Sequence, residues 1–131
     1  MVFCVCGLIG AGKTTFAKQQ AGIISDYDEI GSKEEQLKFT LKNAKNGENV
    51  YHTTCFPTEK ELEAFKNIQT EYIWINTTKR KALENIRNRE RKRDIENIKQ
   101  ANEKNSEIIQ KYLASSINFV VIDVFESGER W

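Results

Sequence analysis

The stretch Gly7-Leu8-Ile9-Gly10-Ala11-Gly12-Lys13-Thr14-Thr15 constrains the fold of this chain more than any other. It matches a phosphate-loop pattern: glycine, four residues, then Gly-Lys-Ser/Thr. Its surroundings fit. Val2-Phe3-Cys4-Val5-Cys6 upstream is an apolar run that reads as a buried strand, and Phe16-Ala17-Lys18-Gln19-Gln20 downstream continues as a helix. Such a loop needs glycine because its amides must curl round a phosphate at φ/ψ values closed to residues with a Cβ. The first turn of the following helix adds unpaired N–H donors. Gly10, Ala11, Gly12, Lys13, Thr14 and Thr15 are therefore the expected phosphate-binding residues. Lys13 supplies a point charge for the β/γ-phosphates, and the hydroxyl of Thr14, with Thr15 as an alternative, ligates Mg²⁺. The implied ligand is a nucleoside triphosphate.

At 131 residues the chain suits one domain spanning 1–131, with a sizeable core and little room for insertions. Its net charge of +1 provides no global field to recruit nucleic acid or a membrane surface. No apolar run approaches the ~20 residues of a membrane span. The first strand starts almost at once, leaving no room for a signal peptide. Cys4, Cys6 and Cys55 are an odd set without metal-binding spacing, as expected of free thiols in a reducing cytoplasm. Period-two alternation puts Cys4 and Cys6 on one face of their strand, as small core residues.

Strand and helix alternate along the chain. Gly22-Ile23-Ile24-Ser25 reads as a short strand ending in Asp26-Tyr27-Asp28-Glu29. Ser32 and Glu35 have capping-box spacing for a helix with Leu37, Leu41 and Ala44 on one side, closed by Asn46-Gly47. Asn49 to Thr53 is a third strand, and Cys55-Phe56-Pro57 a turn. Thr58 and Glu61 form a second capping box ahead of Leu62, Phe65 and Ile68. Tyr72-Ile73-Trp74-Ile75 is a β-rich interior strand. Thr77 or Thr78 then caps a long helix, a second helix runs from about 95 to 113, and Phe119 to Val124 forms the last strand. Short apolar strands between amphipathic helices predict an α/β fold, a three-layer α/β/α sandwich around a parallel five-stranded sheet. Ligands in such sheets collect at the carboxyl ends of the strands, where the glycine loop falls.

Two further features bear on chemistry. Lys79, Arg80, Lys81, Arg87, Arg89, Arg91, Lys92 and Arg93 set eight cations against Glu84 and Glu90. A phosphoryl group in transfer carries charge on its equatorial oxygens, which planar guanidinium groups can share. An arginine-rich lid at about 87–94 is therefore expected. Asp26 and Asp28, after the second strand, could orient or deprotonate an acceptor hydroxyl, or hold a magnesium shell. Asp28 is preferred for the acceptor because the chain needs a residue or two to clear the sheet edge. His52 is the only histidine, which excludes an imidazole metal cluster. Either it reaches the phosphates from the third strand or it is a satisfied core residue, and the second is preferred. Thr53 and Thr54 are weak candidates for contacts to an acceptor or a metal-bound water.

These residues resemble those of the P-loop kinases of small molecules and nucleic-acid ends: polynucleotide 5′-hydroxyl kinases, zeta-toxin-like proteins and nucleoside monophosphate kinases. Gly7 to Thr15 carries the likeness most specifically. Ile24-Ser25-Asp26-Tyr27-Asp28 looks like the strand end where polynucleotide kinases keep their general base. Leu83 to Arg91, followed by Asp94, is similar to the lid entry of monophosphate kinases, which points to Arg89 and Arg91 as catalytic cations. The resemblance implies a P-loop NTPase fold, ATP and Mg²⁺ as cofactors, and adenine lying near Phe125 to Gly128. The chain also departs from those families. His52, Thr53 and Thr54 stand where an aspartate is common, Lys99 is the one cation where a catalytic arginine is common, and residues 29–48 are short for a nucleotide-binding insertion.

The resulting expectation is an ATP-dependent kinase with Lys13, Asp28, Arg89 and Arg91 as catalytic residues. Its partners are ATP and an acceptor, preferably a polynucleotide 5′-hydroxyl or a nucleotide, otherwise a small molecule. No membrane is involved, and oligomeric state is not legible. The rival readings are a P-loop ATPase and a nucleotide-dependent switch. The first lacks a suitably placed strand carboxylate, since Asp123 belongs to the last strand.

Overall fold

A computed structural model of the protein describes residues 1–88 and 98–123. The apolar run at the start forms β1 (Val2–Cys6), and its strand pairs on both sides. After α1 (Lys13–Lys18) the chain forms β2 (Ile23–Ser25), a single turn α2 (Tyr27–Ile30) and α3 (Lys33–Lys45). Then follow β3 (Val50–Thr54), α4 (Glu59–Phe65) and β4 (Thr70–Asn76). Two helices, α5 (Lys79–Asn88) and α6 (Ile98–Ala114), precede β5 (Val120–Asp123).

All four strand pairs are parallel, in the order β2-β3-β1-β4-β5. β1 belongs at the centre because Val2, Cys4, Val5 and Cys6 are all buried and no side chain of that strand needs water. The register places Cys4 beside His52 and Tyr72, and Cys6 beside Thr54 and Trp74, so these rows share one face. On that face Thr40 of α3 and Phe65 of α4 meet His52, and Tyr112 of α6 stacks on Trp74 with centroids 4.0 Å apart. The step from β1 to β2 runs the opposite way across the sheet from every later step. A right-handed crossover therefore puts α1 on the other face. The expected α/β sandwich with a parallel five-stranded sheet is the observed architecture.

Capping chemistry sets the starts of α3, α4 and α5 as the sequence predicts. The Ser32 hydroxyl accepts from Glu35 N–H, and Thr58 with Glu61 closes a full capping box. Thr78, not Thr77, caps α5 by accepting from Lys81 N–H at 3.0 Å. One segment differs. The strand end expected at residues 26–29 is instead the start of α2, with Asp26 as its extended N-cap residue and Gly31 ending it at φ +90°. Asp28 and Glu29 in the first turn suit the positive end of a helix, and Tyr27 to Ile30 has no alternation to extend the strand.

Candidate active site

The carboxyl ends of β1, β2 and β3 open onto a cavity of about 460 Å³. The glycine loop forms one wall, with Ile9, Gly10, Gly12, Lys13, Thr14 and Thr15 facing the space. Asp26, Tyr27, Asp28, Lys33, Thr53, Thr54 and Cys55 complete it.

Backbone geometry explains the loop. Gly10 and Gly12 adopt φ of +89° and +93°, where a side chain is strained. A Cβ at Gly10 would also lie 2.4 Å from the carbonyl oxygen of Ala82, so α5 packs directly under the loop. Two asparagines pin it there. Asn105 accepts from Ile9 N–H at 2.7 Å and donates to Ile9 C=O at 3.1 Å, while Asn85 donates to Gly10 C=O at 2.9 Å. Neither asparagine is among the sequence-level candidates. Each lies 75 or more positions from its partner, and no local pattern reports such a contact.

The loop is shaped to take an anion. Gly12 caps α1, and the first helical N–H to bond back is that of Phe16, onto Gly12 C=O at 2.9 Å. The amides of Lys13, Thr14 and Thr15 thus belong to the unpaired first turn. The Lys13 ammonium donates to the carbonyls of Gly7 (3.1 Å) and Leu8 (2.8 Å) and lies 3.8 Å from Cys55 Sγ. A phosphate at the amides would meet this charge at the same wall.

The two aspartates differ. Asp26 is 6% exposed, and its carboxylate accepts from Thr14 Oγ1 at 3.5 Å and from Thr53 Oγ1 at 3.0 Å. Asp28 also lines the cavity but is exposed on α2. Thr53 therefore holds an acid, a role sequence reasoning did not assign it. Among the described residues no group of three or more His, Cys, Asp and Glu could by itself hold a metal. The Thr14 hydroxyl and the Asp26 carboxylate, 3.5 Å apart, are oxygen donors of the kind Mg²⁺ takes alongside water and substrate phosphates. Thr14 and Asp26 are the residues that would hold it.

Below the cavity runs a buried polar chain. His52 Nε2 bonds Glu61 Oε2, and Nδ1 lies 2.7 Å from Thr40 Oγ1, which in turn donates to Ser25 Oγ. Both ring nitrogens are satisfied, and His52 does not line the cavity. Burial works to raise the Glu61 carboxyl. The His52 ring, the Thr58 amide and the Lys33 ammonium outweigh that cost and hold it at about 2. Cys4 and Cys6 are buried with sulfurs 3.8 Å apart, and the Cys6 contact together with burial pushes the Cys4 thiol up. An uncharged thiol of this kind is inert packing.

Lys33, Tyr27 and Cys55 reach the cavity without having been sequence-level candidates. Arg89, Arg91 and the rest of the expected lid beyond Asn88 lie outside the described residues, as does the turn Phe125 to Gly128. Asp123 ends the edge strand β5, where it accepts from Asn76 Nδ2 at 2.8 Å, and it does not line the cavity. Lys99 is exposed at the start of α6. No described helix is long and apolar enough to cross a membrane.

No protein-family model matches the chain, and no curated protein matches it in sequence. Solved structures do match in fold. A deoxyadenosine kinase from M. mycoides with bound dATP superposes with a TM-score of 0.58 at 18% identity, covering 98% of this chain and 93% of that one. A gluconokinase from Sinorhizobium meliloti 1021 gives 0.63 at 12% identity, over 95% and 83% of the two chains. A shikimate kinase from Acinetobacter baumannii in complex with shikimate gives 0.62 at 16% identity, over 97% and 85%. At these identities the likeness is one of fold, and the fold is that of the small P-loop kinases.

Proposed function

We propose that this protein is an ATP-dependent phosphotransferase acting on an acceptor hydroxyl, with residues 1–131 forming one kinase domain. The reading rests on one observation: Lys13, Thr14, Asp26 and Asp28 line a single cavity at the carboxyl edge of the sheet. In this reading the amides of Gly10 to Thr15 and the Lys13 ammonium grip the β- and γ-phosphates. Mg²⁺ neutralises charge on the phosphates when bound. Thr14 and Asp26 orient its shell. Asp28 receives the acceptor proton as the acceptor oxygen bonds to the γ-phosphorus and the bond to ADP breaks. Arg89 and Arg91 share the charge of the moving phosphoryl group, in the lid role proposed for the segment at about 87–94.

For the acceptor, the reading takes in a small hydroxylic molecule or a nucleotide. The structural neighbours described above are kinases named for deoxyadenosine, gluconate and shikimate; none of the three is named for a polynucleotide end. Incubation with γ-labelled ATP, Mg²⁺ and a panel of nucleosides, nucleotides, sugar acids and 5′-hydroxyl oligonucleotides tests the reading. Label in an acceptor supports it. Release of phosphate alone would move the assignment to an ATPase.

A further inference from the structure

The far wall of the cavity holds a cation that the phosphate loop does not need. Lys33, the first residue of α3, places its ammonium 3.0 Å from Thr54 Oγ1 and 5.4 Å from the centroid of the Tyr27 ring. An ammonium has three donors, and this one makes a single hydrogen bond among the described residues. Glu61 offsets part of its charge without hydrogen-bonding to it. Their closest approach is 3.9 Å, beyond hydrogen-bond length, and the Glu61 oxygens are already taken by the Thr58 amide, the Thr54 hydroxyl and the His52 ring. Glu61 fixes where the ammonium stands and leaves donors for a ligand. The Lys33 side chain is 49% exposed and so reaches solvent.

Lys33 is grouped with acceptor-side residues. Tyr27 adjoins Asp28 on α2, is 41% exposed as a residue, and has its ring beneath the ammonium. Lys13, in contrast, stands at the glycine loop, donating to the carbonyls of Gly7 and Leu8. A molecule offering its hydroxyl to Asp28 would occupy the cavity that Tyr27 and Lys33 also line. We infer that Lys33 makes this cavity select an acceptor that carries an anionic group, a carboxylate or phosphate, beside the hydroxyl that is phosphorylated. This inference rests on the phosphotransferase reading and narrows its acceptor class.

Matched acceptor pairs test it: 2′-deoxyadenosine against 2′-deoxyadenosine 3′-monophosphate, and glucose against gluconate. Transfer is measured for wild type and Lys33→Met, and the affinity of each pair member for protein loaded with a magnesium–ATP analogue is measured by calorimetry. In wild type, the charged member of at least one pair is favoured roughly tenfold in kcat/KM or affinity, as expected for a hydrogen bond to a charged group. The pair showing the preference identifies the anion as phosphate or carboxylate. In K33M the preference falls to near unity while MgATP affinity stays within about twofold. Equal handling of both members by wild type, or binding of neither charged probe, overturns the inference. A K33M loss of MgATP affinity as large as that of Lys13→Met also overturns it, by assigning Lys33 to the donor nucleotide. Binding of a charged probe with no transfer to any acceptor leaves the anion site standing and instead overturns the phosphotransferase reading.

Discussion

Thr14 Oγ1 donates to Asp26 Oδ2 at 3.5 Å, linking the helix after the glycine loop to the end of β2. A hydroxyl and a buried carboxylate thus meet at the carboxyl edge of the sheet, with Asp28 two residues further along in the first turn of α2. The separation predicts different kinetic phenotypes. Asp28→Asn lowers kcat by about 10²–10⁴-fold, the usual range for a lost proton acceptor, and added Mg²⁺ does not relieve it. Asp26→Asn raises the Mg²⁺ concentration needed for half-maximal rate, and excess Mg²⁺ restores part of the activity. Steady-state rates across a Mg²⁺ titration check both.

Gly10 has little latitude in the loop. Gly10→Ala forces a Cβ to within 2.4 Å of the Ala82 carbonyl at a φ of +89°. Denaturant unfolding should show a loss of about 2–4 kcal/mol, from overpacking plus backbone strain. MgATP affinity should fall in the refolded variant as well. An unchanged midpoint would mean that α5 does not press on the loop.

Asn105 bonds both backbone groups of Ile9. Asn105→Ala leaves these groups unpaired and should cost about 1–3 kcal/mol of stability. Because Ile9 and Gly10 both line the cavity, calorimetry should also record weaker MgATP binding. Asn85→Ala acts on Gly10 C=O and should behave alike, with non-additive losses in the double variant because both hold one loop.

Glu61 supplies a pH signature. Its carboxyl is held at about 2 against a reference of 4.5, so the unfolded chain binds this proton more tightly than the folded one. Its contribution is fully present above pH 4.5 and is lost as pH falls towards 2. Glu61 is 4% exposed, so solvent screening is slight, and the shift corresponds to stabilisation on the order of 3 kcal/mol at neutral pH. Glu61→Gln should lower stability at pH 7 by an amount of that order and flatten the acid limb between pH 4.5 and 2. Urea midpoints across pH 2–7 measure it; parallel curves for the two proteins would refute the assignment.

Local chemistry made much of this legible in advance. Gly10 and Gly12 announce a loop because few residues accept their backbone angles, and the Thr58–Glu61 capping box marks a helix start within one turn. Alternating apolar strands and helices likewise report a parallel sheet, since the helices that cross between parallel strands cover its faces. Contacts across the fold were not legible. Asn105 reaches Ile9 over 96 positions, and Thr53 reaches Asp26 between strands whose adjacency depends on the sheet order. Nothing near Lys33 in sequence reveals that α3 begins beside Thr54. The helix at Tyr27 to Ile30 was missed because four residues are too few to show a period.

The most direct test of a phosphate-gripping loop is calorimetric titration of the intact protein with MgATP, alongside thermal unfolding with and without nucleotide. Saturable heat and a raised Tm are predicted for wild type, with stabilisation of about 2.7 kcal/mol at a hundredfold excess over Kd. Both signals should be lost in Lys13→Met. Absence of heat and of any Tm shift with magnesium nucleotides in the wild-type protein would contradict the assignment of the loop and of the transfer chemistry built on it.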